Sequence, residues 1–283
     1  MAHPTGSFCP NEPMAPTDAP YSVRAFGTRK ADLDFDFTTN DRPGLVTDVL
    51  SACLLGRDGS PLATDRVWAM PVSQRIECLL RLAAAGHTFV WSVTLRCPRD
   101  DCRQLIEIEL PIDDVFALQR RAEQRDLAEW QDGALSLRLR RPTGGDQRQW
   151  RAASFADATE ARDAIFHTLV ADAPGPEGGA ADGDAPRTPA ANLIDMIDAR
   201  LEEFDPLVAF SVQVGCPHCG LQTDFPVDLE ALALSELEKV QTQLLQDLHR
   251  LATHYHWSES EILDLTPQRR ARYLQLIEAG DAS

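Results

Sequence analysis

The sequence predicts an α+β fold: a pair of short β-hairpins surrounded by helices, with a helical subdomain at the C-terminus. Three observations predict it. Short stretches alternate apolar and polar residues with period two, as over 103–111, and read as strands half-buried on one face. Longer stretches repeat apolar residues every three or four positions, as over 72–86 and from Leu229 onward, and read as helices. Two close cysteine pairs, Cys97/Cys102 and Cys216/Cys219, each lie at the end of one predicted strand and the start of another. Each pair therefore belongs in a hairpin turn.

The length of 283 residues supports a sizeable buried core. No apolar run approaches the roughly 18 to 20 residues of a membrane span. The first twenty residues carry no basic start followed by an apolar stretch, so no secretory signal is expected. Synthesis in the cytoplasm follows by default, and there seven cysteines are expected as free thiols or metal ligands rather than disulfides. The 27 Lys and Arg are outnumbered by 44 Asp and Glu, giving a formal net charge of −17. That balance weighs against a nucleic-acid partner, because phosphate binding is mainly a cationic effect.

Residues 1–30, rich in Pro, Ala and Thr, are expected to form a loose tail. Residues 171–190 contain Gly, Ala, Pro and Asp with no large apolar side chain, and are expected to be a disordered loop. Between them, "DLDFDF" (32–37) alternates as a strand. A helix follows with Val72, Ile76, Leu79, Leu80 and Ala83 on one face and a stop at Gly86. Strands are expected at 89–95, 103–111 and 134–142, helices at 113–124 and 158–171, and a hairpin turn at "PTGGD". After the loop come a helix over 192–204, a strand over 208–214, and a long helix carrying Leu237, Val240, Leu244, Leu248 and Leu251. Ser258 and Glu261 form a capping box, and Thr266-Pro267 starts a last helix running to Gly280. The core is thus assigned to 31–170 plus 191–232, and the C-terminal helical subdomain to 233–283.

The two cysteine pairs sit in matching surroundings. Trp91 to Arg96 before Cys97 parallels Phe210 to Gly215 before Cys216, serine against serine and apolar against apolar. Glu109-Leu110-Pro111-Ile112-Asp113 parallels Asp224-Phe225-Pro226-Val227-Asp228. The first loop, C-x4-C, is two residues longer than the second, C-x2-C. This pattern reads as an internal duplication of strand, knuckle and strand. Two such turns facing each other would complete a tetrahedral four-cysteine site, a split zinc ribbon holding a structural Zn2+ through Cys97, Cys102, Cys216 and Cys219. The plainer alternative is four unligated thiols on two similar hairpins. The long separation, residues 103 to 215, is the feature that favours the alternative.

Other residues give less. Cys78 lies in an apolar helix as a core thiol, and Cys9 and Cys53 stand alone. His249, His254 and His256 lack a ligand set, and their plainer role is a polar corner between helices. No G-x-S-x-G, no complete phosphate loop and no convincing carboxylate pair is present, so catalysis is not expected. The terminal stretch places Arg269, Arg270 and Arg272 beside Trp257 and Tyr273, a cationic and aromatic surface in an acidic chain. Its plainer role is to close the core; its functional one is docking.

Several stretches together carry a family resemblance: "PVSQRIECLLRL", "CPRDDC" with "IEIELPIDD", "LRLRRPTGGDQRQW", "CPHCG" with "TDFPVDLE", and "YHWSESEILDLTPQRRARYL". Over about 65–277 the chain resembles the baseplate proteins of contractile phage tails of the T-even type and of phage-like contractile injection systems. The resemblance implies a non-enzymatic structural or assembly protein that contacts baseplate hub, spike or tube proteins. It places the chain in the bacterial cytoplasm, during or after assembly into a phage-tail-like particle. Two other classes remain open on the residues alone. One is a zinc-ribbon module bound to nucleic acid or transcription proteins, which the charge opposes. The other is a zinc enzyme holding its metal through Cys216, Cys219 and a histidine.

Overall fold

In the computed structural model, residues 21–85, 90–122, 127–132, 135–172 and 202–281 are described. The helix stop at Gly86, the loop beyond residue 172, most of the 192–204 helix and the first twenty residues of the expected tail lie outside them. The described elements are helices and small antiparallel sheets, an α+β arrangement.

The chain enters through β1 (Tyr21–Val23), which pairs with β2 (Leu54–Gly56). Residues 21–30 are therefore part of the fold and not of a tail. Arg24 anchors them with a bidentate pair to buried Asp32 at 2.7 Å and 2.7 Å, and donates to the Ala52 carbonyl. The expected strand at 32–37 is absent. Its first residues close a 3-10 turn (Lys30–Leu33), because the Asp32 carboxylate accepts from the Thr28 and Arg29 amides and holds the backbone in a tight bend. Phe35 and Phe37 then pack against Phe26, an alternation that serves a loop rather than a sheet.

Helix α1 (Arg42–Cys53) starts at Asp41, whose side chain accepts from the Gly44 amide, with proline in the first turn. It buries Leu45, Val46, Val49, Leu50 and Cys53. A short α2 (Thr64–Trp68) leads into α3 (Val72–Ala84), the central helix. Its expected face of Val72, Ile76, Leu79, Leu80 and Ala83 is buried, and Cys78 is a core thiol. The hairpin β3 (Val90–Arg96)–β4 (Leu105–Pro111) follows, then α4 (Ile112–Ala122), and a three-stranded sheet of β5 (Leu127–Asp132), β6 (Leu135–Arg140) and β7 (Val170–Asp172).

"PTGGD" is not a hairpin turn. Thr143 caps α5 (Gly144–Ala152) in a reciprocal box with Asp146, and Asp146 also accepts from Arg140 at 2.7 and 2.8 Å. Helix α6 (Ala158–Leu169) then returns the chain to β7. The second hairpin, β8 (Ser211–Gly215)–β9 (Gln222–Pro226), runs into α7 (Leu229–Tyr255), capped by Asp228.

Helix α7 crosses the boundary expected at 232/233 without a break. Its first half packs along α3, with Ala233, Leu234 and Leu237 in the main core. Its second half meets α8 (Glu259–Leu263) and α9 (Pro267–Asp281), where Leu244, Leu248, Leu251, Ile262 and Ile277 form a second cluster. The Ser258–Glu261 capping box is present, and the Arg269 amide donates to Thr266. No helix among the described residues is long and apolar enough to cross a membrane.

Candidate metal centre

Each knuckle is built the same way. In the first hairpin the register pairs Arg96 with Leu105, and the Cys97 amide donates to the Gln104 carbonyl at 2.9 Å. In the second, Gly215 pairs with Gln222, and the Cys216 amide donates to the Leu221 carbonyl at 2.9 Å. A proline follows the first cysteine of each pair. The residue after the second cysteine turns left-handed in both: Arg103 at φ 50° and Gly220 at φ 73°. The chain can then fold back on its cysteines, and Gly220 makes that turn without the steric cost Arg103 bears.

The duplication extends beyond the hairpins. Each ends in a proline and passes directly into a helix, Pro111 into α4 and Pro226 through Asp228 into α7. Serines 92 and 211 occupy equivalent positions, but their partners are Glu109 and Pro226. The sequence match of Glu109 with Asp224 is therefore displaced by one alternation along the returning strand, because β4 is longer than β9.

The two knuckles meet. Cys97 Sγ lies 3.7 Å from Cys219 Sγ, and Cys102 Sγ lies 3.8 Å from Cys216 Sγ, so each cysteine of one knuckle sits against one of the other. All four sulfurs fall within 4.8 Å of one another. These separations are far beyond a disulfide bond of about 2.05 Å. They match the edge of a tetrahedron with metal–sulfur bonds of about 2.3 Å, which is about 3.8 Å. The four cysteines could therefore hold one metal ion, and among the described residues no other group of three or more His, Cys, Asp or Glu is arranged to do so. Cys97 and Cys216 are buried, Cys102 and Cys219 half-buried, and Ile106 and Phe225 pack beneath them.

Electrostatics favour a first thiolate on Cys216. Burial raises its pKa, but the Cys219 and His218 amides and the neighbouring thiols donate to it and bring it down to about 7. At Cys97 the Arg99 amide works in the same direction, but burial and the other three thiols prevail and push it up to about 12. Cys102 is likewise raised against the pull of the Gln104 amide. Such amide-to-sulfur donation is what steadies a bound thiolate. Arg99 adds a cation: held by Asp101, it also faces Cys219. It lies in the longer loop, where the insertion of charged residues was the only sign in the sequence.

The expected docking residues are brought partly together. Trp257 stacks on Tyr255 (4.6 Å between ring centroids, 19°) and meets Tyr273 edge-on at 5.0 Å. Arg269 and Arg272 are exposed. Arg270 is buried, and its guanidinium pKa is lowered by burial against the attraction of Asp247, so it is not part of an exposed cationic patch. His256 ends α7 in the left-handed region at φ 57°, and His254 packs on Tyr255, a corner between helices.

No protein-family model matches the chain, and neither a curated protein nor a solved structure matches it.

Proposed function

We propose that the chain is a non-enzymatic structural or assembly protein of the baseplate or hub of a contractile tail-like particle, stapled by one structural zinc ion. The observation that carries the structural part is the cross-hairpin sulfur spacing of 3.7 and 3.8 Å. An all-thiolate tetrahedral donor set suits zinc, and four protein ligands fill its shell and leave no open position for water. Cys97, Cys102, Cys216 and Cys219 would hold the ion. Its role is then to fix two hairpins from distant parts of the chain against each other. The ion's contribution to folding is on the order of 10 kcal/mol.

The particle is supported by the resemblance over 65–277, which takes in both knuckles and the terminal helices. The aromatic group of Tyr255, Trp257 and Tyr273, with exposed Arg269 and Arg272 nearby in sequence, offers a surface for protein contacts. The test is mass spectrometry of purified sheathed particles beside a pull-down of the tagged chain from lysate. Stoichiometric presence in particles identifies a baseplate component. Capture only with hub or spike proteins in lysate identifies an assembly factor that departs. Absence from both sinks the particle assignment, and a salt-dependent shift with DNA would replace it with the nucleic-acid module.

A further inference from the structure

We propose that the two hairpins form a split peptide-binding groove that accepts an extended, cationic segment of a partner protein as an added β-strand. The inference stands on strand edges and charge, and does not depend on which particle the chain serves.

The hairpins are separate two-stranded sheets, so β4 and β8 each have one edge with no strand partner among the described residues. Both edges line one open groove of about 460 Å³. Hydrogen-bond parity shows which backbone groups face it. The Cys97 amide bonds Gln104, so 97/104 is a bonded pair and every second pair along β3–β4 is not. Glu107 and Glu109 fall in the non-bonded class and direct their amides and carbonyls away from β3. In β8–β9 the bonded pairs 216/221 and 210/227 bracket the strand, which leaves Ser211, Gln213 and Gly215 pointing outward. Glu109, Gln213 and Gly215 all lie on the groove wall.

The side chains define the guest. The inner wall is apolar: Ile108, Leu110, Val212 and Val214, with Val115 and Leu118 from α4, and Leu118 is 36% exposed. The charged lining residues are Glu109 and Asp114, with no lysine or arginine among them. An added strand with apolar residues at alternate positions facing α4, and Lys or Arg at the others, would meet both surfaces. Main-chain bonds supply affinity in such strand addition, and alternate side chains supply selectivity. Exposed edges are otherwise an aggregation hazard, and here each carries outward acidic or polar residues that disfavour self-pairing and favour a cationic strand.

The test uses the zinc-loaded full chain and a fluorescein-labelled octapeptide of alternating valine and lysine, read by anisotropy. A block peptide of the same composition is the control. The proposal expects saturable binding, about tenfold weaker for the block peptide and about tenfold weaker for Gln213→Pro, the loss of one hydrogen bond. Proline at 213 removes an outward amide and spares the hairpin's own bonds, so zinc content and melting temperature stay unchanged. If that variant fails to fold, an octapeptide N-methylated at alternate residues tests the reciprocal bonds, from the peptide amides to the outward edge carbonyls. Glu109→Lys should also weaken binding, and the Glu107, Glu109 and Gln213 amides should become protected from hydrogen exchange. No saturable binding, equal affinity for the two peptides, or undiminished binding after removal of the edge bond would each overturn the proposal.

Discussion

Arg75 is fully buried, and Gly144 is what lets it lie there. A Cβ at position 144 would stand 2.0 Å from Nη1 and 2.6 Å from the guanidinium carbon. The guanidinium cannot easily yield, since it donates to the Val67 and Pro43 carbonyls and to Thr47, and stacks over Trp68. Burial already lowers its pKa to about 10, against the attraction of Glu230. Gly144→Ala should therefore destabilise the fold by about 1 to 3 kcal/mol in a denaturant titration, with the metal content unchanged. A second buried group gives a pH dependence. Burial raises the Asp205 carboxyl from 3.8 to about 6, against Ser73 and the Arg141 guanidinium 3.5 Å away. Between those values the folded chain holds a proton the unfolded chain has lost, so stability falls as pH rises from about 4 to 6 and is then flat. The fall is at most about 3 kcal/mol. The fall should be missing from the Asp205→Asn curve and so appear in the wild-type-minus-mutant difference; a difference that is flat from pH 4 to 7 would contradict the assignment. Neither effect was legible in the sequence. "PTGG" carries a turn signal that serves helix capping as well as hairpins, and nothing local reveals which arginine will lie against a glycine some seventy positions away.

At the scale of elements, what could be read was what is local. The strands at 90–96 and 105–111 and the helices at 72–84 and 112–122 follow from periodicity. The cysteine pairs and their matching flanks gave the hairpins. Helix α1 was missed although Asp41, Pro43 and the buried Leu45, Val46, Val49 and Leu50 carry cap and face signals, because its mean pattern lacks a polar side. The strand expected at 32–37 failed because buried Asp32 bends the backbone through tertiary contacts with Arg24. The knuckles themselves show how far their equivalence goes. Gly220 occupies the left-handed position at φ 73°, where Arg103 sits at 50° in the other hairpin. Gly220→Val should cost about 1 to 2 kcal/mol and weaken metal retention, since a β-branched residue is strained there. A Gly220→Val chain that melts and holds metal like the wild type would show the turn to be more forgiving.

For the whole molecule, the centre joins hairpins that precede two different helices, α4 and α7, and α7 in turn links the main core to the C-terminal cluster. The juxtaposition of Cys97 and Cys102 with Cys216 and Cys219 was legible through the repeated flanks alone; the long intervening chain gave no sign of it. The crossed pairing of the sulfurs, the amides aimed at them and the contribution of Arg99 required the three-dimensional arrangement. The most direct test is zinc K-edge X-ray absorption on the purified full chain, with metal counted by native mass spectrometry. The account predicts one zinc per chain with four sulfur neighbours at about 2.3 Å, lost together with hairpin stability in Cys216→Ser. A chain that folds equally well without metal, or a zinc shell containing nitrogen or oxygen, would contradict it.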